Sequence, residues 1–142
     1  MSVGDYMKFK YFIPSMIMMI LIFVFSSQTG NQSSELSNGI LLWLQQTLHI
    51  TIPTLIIRKC AHISEFAILM LTFVYAYKNN NINHYIVYAF ISTVFYACTD
   101  EFHQLFVENR SGNIIDVCID SIGPIIIIII CKIKNSLPLF LK

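Results

Sequence analysis

Tyr96-Ala-Cys-Thr-Asp-Glu-Phe-His-Gln-Leu-Phe-Val-Glu-Asn-Arg-Ser-Gly-Asn-Ile-Ile-Asp-Val-Cys-Ile-Asp-Ser-Ile-Gly123 is the stretch that decides how the chain is read. It carries Asp100, Glu101, His103, Gln104, Glu108, Arg110, Asp116 and Asp120, and so five of the chain's eight carboxylates. The sequence on either side is overwhelmingly apolar. Polar groups are costly away from water unless they are paired, so such crowding needs a reason.

Composition narrows the classes. Of 142 residues, 56% are hydrophobic and 12% charged, with a mean hydropathy of +0.66. A soluble domain carries about 25% charged residues. The length suits one domain over residues 1–142. A net charge of +1, without a basic stripe, gives no field for nucleic acid. The natural partner is a lipid bilayer.

A spanning helix needs about 20 mainly apolar residues. Lys8 and Lys10 precede a first run at about residues 11–27, with Pro14 in the first turn, where proline is tolerated. A signal peptide would also begin this way, but an A-x-A-like cleavage site is missing. Gln28 to Asn38 is Ser/Asn-rich and reads as a loop. Ile40, Trp43, Leu44 and Leu48 then recur at helical spacing opposite Gln45, Gln46 and His49. That suits a short helix lying in the membrane interface, or one packed on the bundle. Residues 54–77, 85–106 and 114–131 supply three more apolar runs, separated by polar turns at Lys78 to His84 and Val107 to Asn113. The expected fold is all-α: an integral membrane bundle of four transmembrane helices, with the short interfacial helix between the first and second.

Orientation follows lysine and arginine in short loops. Both termini are expected in the cytoplasm, since Lys8, Lys10, Lys78, Lys132, Lys134 and Lys142 then lie inside. Arg58, Lys59 and Arg110 lie outside. On that topology the start of the second span, the end of the third and the start of the fourth share the outer end. At about 1.5 Å per residue, Glu65 lies roughly 15 Å deep, and Asp100 and Asp120 about 9 Å.

Arg58, His62 and Glu65 share one helix face, as do Asp100, His103 and Gln104. The three cations Arg58, Lys59 and Arg110 face five acids: Glu65, Asp100, Glu101, Asp116 and Asp120. Bound protons, charged histidines or a divalent cation would meet the excess. His62, Glu65, Asp100 and His103 are the candidate metal ligands, although they lack the spacing of a closed structural site. Each feature also has a plainer reading. Arg58 and Lys59 could snorkel, the His–carboxylate pairs could bond only to each other, Asp116 could cap its helix and pair with Arg110, and Gly123-Pro124 could mark a kink. The four cysteines read as small buried hydrophobes, with any Cys60–Cys98 pairing undetermined.

Several motifs together resemble the VanZ-like family. They are Phe25-Ser-Ser-Gln28, Arg58-Lys59-x-x-His62-x-x-Glu65-Phe66-x-x-Leu69, Asp100-Glu101-x-His103-Gln104-x-Phe106, Arg110, Asp116 and Asp120-x-x-Gly123. Two positions depart from the family's usual pattern. Glu108-Asn109 stands where Pro-Gly often precedes the arginine, and Phe66 stands where tyrosine is common. The family takes its name from a bacterial protein associated with low-level teicoplanin resistance, so the resemblance implies a role at the cell envelope.

Three functions compete. The favoured one is an outward-facing site for an anionic envelope or lipid-linked substrate. Arg58, Lys59 and Arg110 would hold the head group, and Gln104, Asp116 and Asp120 would complete the binding set. Glu65, Asp100, Glu101 and His62 are the candidate acids and bases. The others are a helix-locking network without chemistry and a small proton- or cation-coupled transporter. No nucleophile motif distinguishes an enzyme from a binder.

Overall fold

The computed structural model describes residues 7–136. Among them no strand occurs; Lys142, counted above for orientation, lies outside them. A single 3-10 turn, Phe9–Phe12, leads into α1 (Ile13–Ser26). There follow α2 (Gly30–Leu48), α3 (Thr54–Asn79), α4 (Tyr85–Gln104), α5 (Ile114–Asp120) and α6 (Ile122–Ser136). Helix α3, with 26 residues, is about 39 Å long and forms the central post. All five other helices pack against it.

The distribution of side chains is that of a bundle in an apolar surround. Buried positions include Ser15, Ser26, Ser37, Thr93, Asp100, Glu101, Gln104 and Asp120. Large apolar side chains such as Ile20, Phe95, Phe102 and Ile130 point outward. In water an apolar surface of this extent would aggregate, whereas in lipid it is the solvated face. Among the described residues, three helical segments are long and apolar enough to cross a membrane: Phe9–Ser26, Thr54–Asn79 and Ile114–Ile133. They fit a membrane protein. Helix α4, expected as a span over 85–106, has 20 residues and ends at Gln104. Asp100, Glu101, His103 and Gln104 at its end leave it less apolar than those three.

Two expectations about local structure change. Gln28 to Asn38, read as a loop, is helical from Gly30 onward, so the helix before α3 is 19 residues long. Thr29 and Gln32 form a reciprocal capping box that starts it. Ser34 and Ser37 then return their hydroxyls to the carbonyls of Gly30 and Ser33. Gly30 and Ser37 are the buried positions of this helix, while Trp43 is 58% exposed. The small residues make the buried contact with the bundle, while Leu42 and Trp43 face away, as lipid-embedded packing favours.

The last apolar run is broken at Ser121 into α5 and α6. Pro124 has no N–H for the carbonyl of Asp120, which opens the helix one turn before it. Beside it, a Cβ on Gly123 would stand 2.2 Å from the Ile63 carbonyl oxygen. Only glycine lets α6 approach α3 this closely, so the expected kink with close packing is what forms. All four cysteines are free, and Cys60, Cys98 and Cys118 are exposed rather than buried as expected. On a lipid-facing surface, exposure leaves a thiol in the apolar setting it prefers.

Candidate functional site

The polar residues gather where the start of α3, the end of α4 and the start of α5 meet the loop before α5. Helix α3 presents Arg58, Lys59, His62 and Glu65 over its first turns. The end of α4 presents Asp100, Glu101 and Gln104. Helix α5 contributes Asp116 and Asp120, and the intervening loop contributes Arg110.

Their bonding separates braces from open groups. Asp100, 3% exposed, accepts at Oδ2 from the Ser26 hydroxyl at 2.8 Å and from Gln104 Nε2 at 2.9 Å. The same amide nitrogen reaches Glu101 Oε1 at 3.2 Å, and Glu101 Oε2 accepts from the Asn113 backbone N–H at 2.9 Å. Both oxygens of Glu101 are therefore engaged, and it ties the loop to α4. Lys59 pairs with Asp116. The expected Asp116–Arg110 pair is not formed, and Asn113, not Asp116, caps α5 by accepting from Ile115 N–H at 3.0 Å.

Arg110 reaches back to α1. Its Nε donates to the Gln28 carbonyl at 2.9 Å and its Nη2 to the Phe25 carbonyl at 3.1 Å, at the C-terminal end of α1. Burial, then the nearby charge of Arg58, push the Arg110 guanidinium below its ordinary pKa; Asp100, Glu101 and Glu65 oppose them. A guanidinium stays charged even so. Arg58 makes no hydrogen bond or ion pair among the described residues.

Four buried polar atoms of this cluster have no partner: His62 Nδ1, Asp100 Oδ1, Arg110 Nη1 and Asp120 Oδ2. His62 Nδ1 lies 3.7 Å from Glu65 Oε2, near enough for charge attraction but too long for a hydrogen bond. Buried polar atoms are nearly always satisfied, so these four stand out from the rest of the bundle.

Two spaces adjoin His62, Arg110 and Asp120, though not Asp100. A polar cavity of about 150 Å³ is bounded by Arg58, Lys59, Glu101, Arg110, Asp116 and Asp120, among others. A groove of about 240 Å³ is walled by Phe25, Leu36, Ile40, Ile57 and Ala61, with Glu65 also on its lining. Arg58, His62 and Arg110 line both.

His103 stands apart, with Nε2 3.1 Å from Ser27 Oγ and its ring 4.5 Å from that of Phe23. Among the described residues, no three His, Cys, Asp or Glu side chains gather as a metal shell. The roles of Ser26 and Asn113, and the groove wall from α2, were absent from the sequence reading. Only the Thr29-x-x-Gln32 signature could have revealed where α2 begins.

A family model described as VanZ/LLP1 matches residues 11–135. The chain belongs to the VanZ/LLP1 family. Neither a curated protein nor a solved structure matches it. The two departures of this VanZ/LLP1 chain from the pattern noted above now have a structural setting. Arg110 N–H closes a turn onto the Val107 carbonyl at 3.2 Å, and Asn109 within it has φ 56°. Pro-Gly is the usual signature of a turn with a left-handed third residue, and asparagine tolerates that conformation better than most. Glu108-Asn109 therefore serves where Pro-Gly often stands. Phe66 is fully buried beside Tyr96, with ring centroids 6.4 Å apart.

Proposed function

We propose that this VanZ/LLP1 protein binds the anionic head group of an envelope lipid or lipid-linked precursor at the outer end of a four-span bundle, and so contributes to teicoplanin tolerance. Helix α4 is the remaining span, and both termini lie in the cytoplasm. One observation carries the reading. Among the described residues Arg58 makes no hydrogen bond or ion pair, Arg110 Nη1 is buried without a partner, and both line the polar cavity and the apolar groove alike. Two neighbouring guanidinium groups with open donors suit a phosphate, and the groove suits the chain attached to it.

A helix-locking network accounts for the Lys59–Asp116 and Ser26–Asp100 contacts but not for four orphaned atoms. A transporter would need a polar route onward. The buried positions further along α3, Met70, Phe73 and Ala76, are apolar instead. Binding is the activity proposed, with Glu65, Asp100 and His62 as the groups on hand for proton transfer.

The test compares wild-type protein with Arg58→Gln in nanodiscs, titrated with a phosphate-bearing lipid. Loss of a charge-assisted hydrogen bond costs about 1.5–3 kcal/mol, so binding should weaken by roughly ten- to a hundred-fold. Arg58 holds nothing else in place, so the variant should fold normally. Unchanged affinity would remove the proposal.

Topology is checked separately by single-cysteine labelling in a cysteine-free background. Probes at Asn31 and Asn109 should react from outside the cell, and one at Asn80 only from inside. Outside labelling of Asn80 would overturn the orientation.

A further inference from the structure

The order in which the groove and the cavity adjoin the arginines constrains what the ligand looks like. A molecule occupying both would lie against Arg58, His62 and Arg110, which line each of them. Its apolar part lies against Leu36, Ile40, Ile57 and Ala61, and its phosphate lies at the arginines. Whatever extends beyond the phosphate enters the polar cavity.

That cavity is small. At about 150 Å³ it has room for a few small groups. A glycerol or ethanolamine moiety fits, whereas a sugar carrying a peptide does not.

The cavity's acids then set the chemistry of that moiety. Asp116 is held by Lys59 and both oxygens of Glu101 are engaged. Asp120 is different: it is 2% exposed, it lines the cavity, and its Oδ2 has no partner. A buried carboxylate oxygen without a donor is the acceptor half of an unmade hydrogen bond.

We propose that the ligand is a phosphodiester membrane lipid with a small, hydrogen-bond-donating head group, whose hydroxyl or ammonium meets Asp120 while its chain lies in the groove between α2 and α3. This rests on the phosphate-binding reading above and narrows it from lipid-linked conjugates in general to lipids with small heads.

The experiment uses the full chain in detergent, with binding followed by native mass spectrometry. Dioleoyl phosphatidylethanolamine, phosphatidylglycerol and phosphatidylcholine share their chains and phosphate but differ in the donors on the head. The first two are expected to bind about ten-fold more tightly than the choline lipid, which has no donor. Soluble phosphoethanolamine, lacking the chain, is expected to bind at least ten-fold more weakly than its lipid. Asp120→Ala should bring the ethanolamine and choline lipids to similar affinities. If that variant does not fold, Asp120→Asn should narrow the gap several-fold. Equal affinity of the three lipids for the wild-type chain, with Arg58 dependence retained, overturns the head-group assignment alone. Soluble phosphoethanolamine binding as tightly as the lipid overturns the groove assignment. Loss of Arg58 dependence overturns the reading beneath both.

Discussion

Gly123→Leu is expected to abolish the folded bundle. Even the Cβ of alanine at this position would stand 2.2 Å from the Ile63 carbonyl oxygen and 3.0 Å from the Ala67 backbone nitrogen. The atoms in the way are α3 backbone, which cannot rotate aside as a side chain would. Alanine in place of glycine favours a helix by about 1 kcal/mol. Overpacking a core commonly costs about 1–3 kcal/mol, and here two helix backbones must separate as well. The clash therefore exceeds the propensity gain even for alanine, and leucine adds three more carbons to it. Since α3 is the post against which every other helix packs, displacing α6 unseats α5 and with it Asp116 and Asp120. Size-exclusion chromatography with thermal melting in detergent measures the effect. Gly123→Leu should give no monodisperse peak and Gly123→Ala a clearly lowered melting temperature. Wild-type melting for Gly123→Ala would mean that α3 and α6 are not packed as described.

Asp100→Asn is expected to fold like the wild type and to lose the envelope phenotype. The substitution separates two jobs that one carboxylate does. Asp100 Oδ2 accepts from Ser26 and Gln104, and an asparagine carbonyl oxygen can take both bonds, keeping α1 tied to α4. The orphaned oxygen Oδ1 becomes an amide nitrogen, a donor where an acceptor stood. Anything that needs a negative charge or a proton acceptor there is lost, and anything structural remains. Glu65→Gln should behave likewise, because Glu65 lines the groove beside Arg58 and His62 and makes no hydrogen bond to His62 at 3.7 Å. Glu108→Gln, on the exposed loop, is the control and should be silent. Teicoplanin susceptibility, compared at equal membrane levels of each variant, is the readout. Full tolerance in both Asp100→Asn and Glu65→Gln would leave the cluster with a structural role only.

The helical, membrane-embedded class was legible because apolar runs of spanning length set it, and a run's length and polarity are properties of sequence alone. The sharing of faces by Arg58, His62 and Glu65, and by Asp100 and Gln104, was legible for the same reason, since it depends only on the helical repeat. Helix α2 was misread because its serines and asparagines look like a loop when judged by polarity. In a bundle surrounded by lipid, small polar residues are what a helix turns inward, so Ser37 is buried while Trp43 faces out.

What only the tertiary structure decided is which groups meet across helices. Lys59 takes Asp116, Arg58 has no ion pair among the described residues, and Arg110 goes to the carbonyls closing α1. Ser26 reaches Asp100, and Glu101 is consumed in holding the loop at Asn113. These choices depend on the axial offset and rotation of one helix against another. Both are set by close approaches such as Gly123 on Ile63 and by the break at Ser121. The periodicity of a single helix carries no information about either, so the sequence named the charged residues while packing alone determined which of them pair with one another.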